Sequence, residues 1–194
     1  MEPVITLLRP ADYVTTQWSG GSTTQLTIAP ANAVYADRDF LWRVSSATVE
    51  LDESDFTALP DYRRFISTVR GGMVLSHNGG AELTLHPGDV HDFDGGDDTH
   101  SRGRCTDFNL MLRKGKADGL MGALRLTSGE AVFTPKTSTE TALLYCASGD
   151  CAVRCGEKEY PLAAGESLLV RGNAALTLRC VGSALVMTAQ MWKV

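Results

Sequence analysis

The chain has 194 residues, of which 43% are hydrophobic and 21% are charged, as in ordinary globular proteins with a substantial core. A net charge of −5 provides no basic surface for nucleic acid and no basic segment for anionic lipid. No apolar run approaches the roughly 18 residues that a membrane helix needs, and no secretory segment follows Met1, so we expect a cytosolic protein.

Most segments alternate between apolar and polar residues and end at Gly, Asn, Asp or Pro, which predicts short β-strands. In chain order these strands are residues 25–29, 41–49, 65–69, 73–77, 81–85, 107–111, 129–133, 142–147, 151–155, 158–162, 167–170, 175–180 and 184–190. Residues 52–55 are predicted to form a turn, and only residues 116–124 have helical character.

The two halves of the chain carry the same pattern of glycine turn, alternating strand, charged turn, second strand and Gly-acid corner. Gly71 opens the first copy and Gly149 the second, 78 positions later, while Gly88 and Gly165 mark the corners 77 positions apart. A unit repeated once predicts two similar β modules. The predicted boundary between the modules lies in the Gly- and Lys-rich stretch 113–122. This gives a first barrel over residues 1–115 and a second over 116–194.

The five cysteines, an odd number, fit reduced thiols rather than a disulfide framework. Cys146, Cys151 and Cys155 have a spacing that is not a compact zinc motif. We therefore expect the cysteines to be small apolar core residues.

Residues 86–100 contain three of the four histidines and five aspartates. Carboxylates and imidazoles can hold a divalent metal, but the spacing matches no calcium loop and lacks a His-x-His pair. We favour the interpretation of a solvated acidic turn, with no metal site.

The segment from Trp18 to Thr24 places two glycines before three hydroxyl residues. One interpretation is a loop whose backbone N–H groups and hydroxyls, including that of Thr23, approach an anionic ligand. The other is a plain turn before the next strand.

Five polar residues stand at strand positions on the inner face of a barrel. A polar group there costs free energy unless it has a hydrogen-bond or charge partner. They could pair with one another, for example Arg64 with Asp107. Alternatively, they line a cavity and hold a small carboxylate through arginine. The five are Arg43, Ser45, Arg64, Asp107 and Asn109.

Taken in order, these motifs resemble the HutD/Ves family, a group of double-cupin proteins. The matching segments are residues 18–26, 39–49, 54–60, 62–64 and 107–111. The resemblance implies an all-β chain of two cupin barrels (double-stranded β-helices) with few short helices. Some members accompany histidine degradation and are suspected of binding a pathway acid such as urocanate or formylglutamate, and others are associated with stress responses. Many members have Asn-Gly-Gly-Gly where this chain has Ser-Gly-Gly-Ser at 19–22.

We therefore expect a binding or regulatory protein, rather than an enzyme, whose partner is a small acidic metabolite and which uses no cofactor. A homodimer is a further possibility. The expected ligand-binding residues are Arg43, Ser45, Arg64, Asp107, Asn109, Trp18 and Thr23. One rival is a metal-assisted cupin enzyme with ligands among His77, His86, His91 and His100, and another is a structural partner protein.

Overall fold

The structure is a computed structural model that describes residues 2–194, and these residues form an all-β fold. They contain no α-helix, only two short 3-10 turns at Pro10–Asp12 and Tyr35–Asp37. None of their helices is long and apolar enough to cross a membrane. The strands are β1 Val4–Leu8, β2 Val14–Trp18, β3 Gly21–Ala29, β4 Trp42–Val49, β5 Glu53–Asp55, β6 Tyr62–Gly71, β7 Met73–His77, β8 Leu83–Leu85, β9 His91–Asp94, β10 Thr99–Arg102, β11 Cys105–Arg113, β12 Ala117–Phe133, β13 Thr141–Ser148, β14 Asp150–Cys155, β15 Lys158–Ala163, β16 Ser167–Arg171 and β17 Leu176–Lys193.

Two predicted elements are wrong. Residues 116–124 are not helical, because β12 runs through them and pairs with β17. Pairing with a neighbouring strand overrides the weak helical propensity of this stretch. Residues 52–55 are not a plain turn, because β5 pairs with β10.

The described chain divides into two compact units. The pocket unit consists of Tyr13–Asp118 with Val194, and the second unit of residues 2–12 with Gly119–Lys193. The N-terminal strand β1 belongs to the second unit because it pairs antiparallel with β16. The predicted boundary at residue 115 placed that strand with the first half of the chain.

The pocket unit contains two antiparallel sheets. One has six strands in the order β2-β3-β4-β11-β6-β9, and the other has four in the order β5-β10-β7-β8. One cluster of buried side chains includes Ile66, Leu75 and Phe93, and a second includes Phe40 and Tyr62, whose rings stack with centroids 4.4 Å apart. The long strands β4, β6 and β11 lie side by side in the six-stranded sheet and carry most of the site.

The second unit is built on one sheet in the order β1-β16-β13-β17-β14-β15, with β12 also paired to β17. Its core contains Leu144, Val170 and Leu178, none of them exposed.

All five cysteines are free, and four of them are buried, as the sequence predicts. Cys155 is partly buried.

The sequence repeat corresponds to a repeated backbone corner. Gly88 donates its N–H to the carbonyl of Thr68 over 2.8 Å, and Gly165 donates to the carbonyl of Cys146 over the same distance. Both glycines have positive φ angles, 84° and 86°, which residues with a side chain rarely adopt.

The acidic residue after each of these glycines closes the same corner. The carboxylate of Asp89 accepts the N–H of His86 over 2.9 Å, and that of Glu166 accepts the N–H of Ala163 over 3.0 Å. Each acid therefore stabilises its own turn, and the two copies share one local geometry.

Candidate functional site

A cavity of about 330 Å³ opens in the pocket unit. All seven residues expected from the sequence to bind a ligand line it, and they come from five different strands. They are Trp18, Thr23, Arg43, Ser45, Arg64, Asp107 and Asn109.

Strand register explains why these polar side chains meet. Arg43 lies opposite Met111, which in turn lies opposite Arg64 on the other side of β11. Asn109 lies opposite Ser45. Alternate residues of a strand face the same side of the sheet, so these side chains share the face that forms the cavity wall.

Arg43 is fixed within the wall by three contacts. Its Nε donates to Gln25 Oε1 over 2.9 Å, and its Nη1 donates to Ser45 Oγ over 3.3 Å. The guanidinium carbon lies 4.2 Å from the centroid of the Tyr35 ring. Burial lowers the pKa of Arg43, because removing a cation from water disfavours its charged form.

Arg64 is a buried cation whose hydrogen bonds are incomplete. It is only 7% exposed, and its Nη1 donates to the carbonyl of Thr57 over 3.3 Å. The guanidinium carbon lies near two neighbouring aromatic rings, 5.0 Å from the centroid of Phe56 and 5.1 Å from that of Phe93. Its Nε is buried and has no hydrogen-bond partner, and burial lowers its pKa.

Asp107 is a buried carboxyl that faces the same cavity. Its Oδ1 accepts the backbone N–H of Ala47 over 2.9 Å and the Nδ2 of Asn109 over 2.6 Å. Burial raises the pKa of Asp107 to about 7, although these hydrogen bonds and the charge of Arg64 act in the opposite direction. No hydrogen bond joins Arg64 to Asp107, although their opposite charges attract one another.

The mouth of the cavity includes Trp18, whose side chain is exposed at the end of the edge strand β2. Its ring lies over Gly20, where an added Cβ would collide with the indole and come within 2.8 Å of Leu51. A residue without a side chain is therefore needed for the indole to take this position.

Tyr35 and Arg38 are among the wall residues that sequence reasoning missed. Arg38 has a left-handed backbone, with φ of 54°, and its guanidinium carbon lies 3.9 Å from the Tyr35 ring centroid. Its Nη1 is buried without a hydrogen-bond partner. Both residues lie in the irregular segment between β3 and β4, where no alternation of residues signals a side chain's direction.

The charges of the cavity do not balance. Arg38, Arg43 and Arg64 contribute three guanidiniums. Opposing them are the buried carboxyl of Asp107 and the carboxylate of Asp55, which is already bound to His100 Nδ1 over 2.7 Å. The site therefore has an excess of positive charge within a chain that carries a net charge of −5.

The histidines of the rival metal interpretation do not converge. His77 and His91 lie together, His100 pairs with Asp55, and His86 lies in the turn closed by Asp89. Within residues 2–194, no group of three His, Cys, Asp or Glu side chains is arranged to hold a metal ion.

The acidic segment 86–100 is more ordered than the predicted solvated turn, since it contains β9 and β10. Two of its aspartates are bound by cations. The carboxylate of Asp92 accepts from Arg63 Nη2 over 2.5 Å, and that of Asp94 accepts from Lys114 Nζ over 2.7 Å.

A model of the HutD family matches residues 10–188. No curated protein gives a significant match. Among solved structures, the conserved protein of unknown function PA5104 from Pseudomonas aeruginosa PAO1 is 25% identical with a TM-score of 0.84, over 97% of this chain and 99% of that one. HutD from Pseudomonas fluorescens SBW25, solved in a formate condition, is 26% identical with a TM-score of 0.77, over 98% of this chain and 100% of that one.

More distant structures show a cupin-like fold. YhhW from Escherichia coli is 9% identical with a TM-score of 0.67, over 96% of this chain and 97% of that one. A cupin 2 conserved barrel domain protein from Leptotrichia buccalis is 12% identical with a TM-score of 0.57, over 91% of both chains.

Proposed function

We propose that this chain, which belongs to the HutD family, binds a small carboxylate in the cavity of its pocket unit and acts through binding rather than catalysis. The ligand we favour is an acidic intermediate of histidine degradation. The proposal extends the family membership to a specific ligand class and assigns its recognition to the cavity wall.

The observation that carries the proposal is the state of Arg64. A buried guanidinium that leaves its Nε unpaired loses free energy relative to one that is fully hydrogen bonded. The cavity in front of it is large enough for a small metabolite. A carboxylate bound there would neutralise the buried charge of Arg64 in a partly desolvated site, where charge-assisted hydrogen bonds are strong.

Arg43 supports the same ligand class from the opposite strand of the wall. It stands in line with Arg64 across Met111, so the two guanidiniums flank one stretch of the cavity. Ser45 and Asn109 are available beside them for the neutral polar groups of a ligand. The formate condition of the Pseudomonas fluorescens HutD structure motivates formate as the smallest probe of this kind.

We also propose that each unit is a cupin barrel, so that the chain is a double cupin. The two corners at Gly88 and Gly165, with the same hydrogen bonds and nearly equal φ angles, support this proposal. The arginine-lined cavity lies in the pocket unit, so we assign ligand binding to that unit.

Isothermal titration tests the proposed function with urocanate, formylglutamate, glutamate and formate as probes. The informative variant is Arg64→Met, which keeps the buried volume and removes the cation. We expect the best ligand of the panel to bind at micromolar concentration and to lose at least tenfold in affinity in this variant, in line with a charged hydrogen bond of about 1.5–3 kcal/mol.

Arg63→Met is the matched control, because Arg63 is the preceding residue and bonds to Asp92 and Asp118 instead of lining the cavity. We expect this control to bind like the wild type. Binding weaker than millimolar for every acid, or an equal loss in both variants, would remove the proposal.

A further inference from the structure

Two imidazoles of the pocket unit meet head-on, outside the candidate binding site. The Nε2 atoms of His77 and His91 are 2.8 Å apart, whereas their ring centroids are 5.0 Å apart. Each ring therefore extends away from the contact, and the rings meet through their nitrogens rather than face to face. At this distance the two nitrogens share a hydrogen bond, which requires one of them to carry a proton and the other to lack one.

The surroundings of His77 indicate which nitrogen carries the proton. The hydroxyl of Thr99 donates to the carbonyl of Asp97 over 3.3 Å, so its oxygen is free to accept from His77 Nδ1, 2.9 Å away. A neutral His77 that donates from Nδ1 has a bare Nε2. The hydrogen bond of the pair then runs from His91 Nε2–H to His77 Nε2.

The contact joins the two sheets of the pocket unit. His77 is the last residue of β7 in the four-stranded sheet, and His91 is the first residue of β9 in the six-stranded sheet. The ring of Phe93 packs against both imidazoles, with centroids 4.9 and 5.7 Å away.

Charged groups on β6 and β9 lie near the pair. Asp92, beside His91 on β9, is bound by Arg63 of β6, which limits its ability to stabilise an imidazolium. Arg64 of β6 lies on Phe93 and adds positive charge. Asp92 is the anion that acts on His91, and it is already bound by Arg63.

The geometry accepts one additional proton but not two. A proton added to His91 Nδ1 leaves the Nε2–H···Nε2 bond intact and makes it charge-assisted. A second proton must go to His77 Nε2, where it faces the His91 Nε2–H at 2.8 Å. We propose that the His77–His91 pair is an acid-sensitive latch between the two sheets, closed until both imidazoles are protonated and opened by the second proton.

The direction of the pKa of His91 agrees with this arrangement. Burial, and after it the charge of His77, lower the pKa of His91. Because a charge on either imidazole disfavours a charge on the other, the native pair takes up its second proton less readily than the unfolded chain, in which histidine titrates near pH 6.5. The part of the stability that depends on excluding the second proton is therefore fully present above pH 6.5 and is lost as the pH falls below it.

The test compares the wild type with His91→Gln, because a glutamine amide offers a donor and an acceptor at the same place. Its Nε2–H can donate to a neutral His77, and its Oε1 can accept from a protonated one, so the contact should persist at both pH values. We expect the wild type to lose about 2–4 °C more in Tm than His91→Gln between pH 7.5 and 5, the shift that ~1 kcal/mol produces in a chain of this size. His86→Gln, which removes an exposed histidine, should follow the wild type.

Hydrogen exchange locates the effect. After correction for the intrinsic pH dependence of exchange, peptides that contain β7 and β9 should lose protection at pH 5 in the wild type and keep it in His91→Gln. Parallel Tm curves for wild type and His91→Gln would overturn the latch.

A titration of the wild type alone decides the matter if His91→Gln does not fold. NMR of the four imidazoles should show one of His77 and His91 protonating at a lower pH than His86, and free titration of both alongside His86 contradicts the proposal. None of these measurements uses a ligand, so they stand or fall independently of the proposed binding function.

Discussion

Asn109 donates a hydrogen bond over 2.6 Å to Oδ1 of Asp107, two residues away on the same face of β11. The backbone N–H of Ala47 donates to the same oxygen over 2.9 Å. Both bonds fall on one carboxyl oxygen, while burial raises the pKa of Asp107 to about 7. This carboxyl therefore changes its charge near neutral pH inside a cavity that we propose binds acids.

The first prediction concerns the pH dependence of acid binding. As the pH falls from 8 to 6, Asp107 becomes protonated and no longer repels a bound carboxylate. We expect the affinity for the best acid of the panel to rise several-fold over this range in the wild type, as measured by isothermal titration. The Asp107→Asn variant should bind with nearly constant affinity, because its side chain stays neutral.

Asp55→Asn is the control for this experiment, since Asp55 also lines the cavity but is exposed and paired with His100. This variant should keep the wild-type pH profile. A profile that is unchanged in Asp107→Asn contradicts the assignment of the titration to Asp107.

A second prediction concerns stability and has the opposite sign to that of the histidine latch. A carboxyl whose pKa is raised on folding binds its proton more tightly in the native state than in the unfolded chain, where it titrates near pH 3.9. The charged Asp107 therefore lowers the free energy of unfolding most above pH 7. This effect becomes progressively smaller as the pH falls toward 4. In chemical denaturation, the free energy of unfolding of Asp107→Asn minus that of the wild type should increase from pH 5 to pH 8, and a constant difference refutes the prediction.

The third prediction concerns Tyr62, which holds the segment carrying Arg38. Its hydroxyl accepts the N–H of Phe40 over 3.3 Å and lies 3.0 Å from the carbonyls of Arg38 and Phe40. Tyr62→Phe leaves these buried backbone groups without their partner, so we expect a loss of about 1–3 kcal/mol in unfolding free energy.

The same variant should weaken acid binding several-fold, because Arg38 lines the cavity and loses its anchor. Tyr160→Phe in the second unit serves as the control, and its binding should equal that of the wild type. If Tyr62→Phe lowers stability without any effect on affinity, the segment does not need this anchor for binding.

The fourth prediction uses two glycines of the second unit. Gly149 and Gly156 both have left-handed backbones, with φ of 73° and 59°. A Cβ at Gly149 would collide with the backbone carbonyl of Ser183, whereas at Gly156 it would meet nothing within 4 Å. Both changes to alanine carry the strain of about 1–2 kcal/mol that a left-handed backbone imposes on an L residue.

Only Gly149→Ala adds a backbone collision, so we expect it to be the more destabilising of the two by at least ~1 kcal/mol. Thermal or chemical unfolding of the two variants measures this difference directly. Equal losses would show that the backbone around Ser183 relaxes without cost.

The wall of the cavity could be predicted because it is built on regular strands. Alternation along β4 and β11 is enough to place Arg43 with Ser45, and Asp107 with Asn109, on common faces. Register across Met111 then brings Arg64 into line with Arg43, which no sequence pattern specifies. The sequence leaves open whether Arg64 pairs with Asp107 or faces a cavity, because that depends on distances between separate strands.

The parts that could not be predicted depend on irregular backbone or on partners remote in the chain. Tyr35 and Arg38 lie in an irregular segment, where spacing carries no information about direction. The alternating signal of β12 is hidden by residues with good helical propensity, and its pairing with β17 decides its conformation. The contact between His77 and His91 depends on two strands of different sheets.

The pairing of β1 with β16 has a consequence for the order in which the protein folds during its synthesis. Val4 lies opposite Arg171, and Leu8 lies opposite Ser167. During synthesis, which proceeds from the N-terminus, β1 is made before residues 9–166 and has no partner until β16 follows them. The pocket unit is translated almost entirely within that interval, so its sheets can form while β1 is still unpaired.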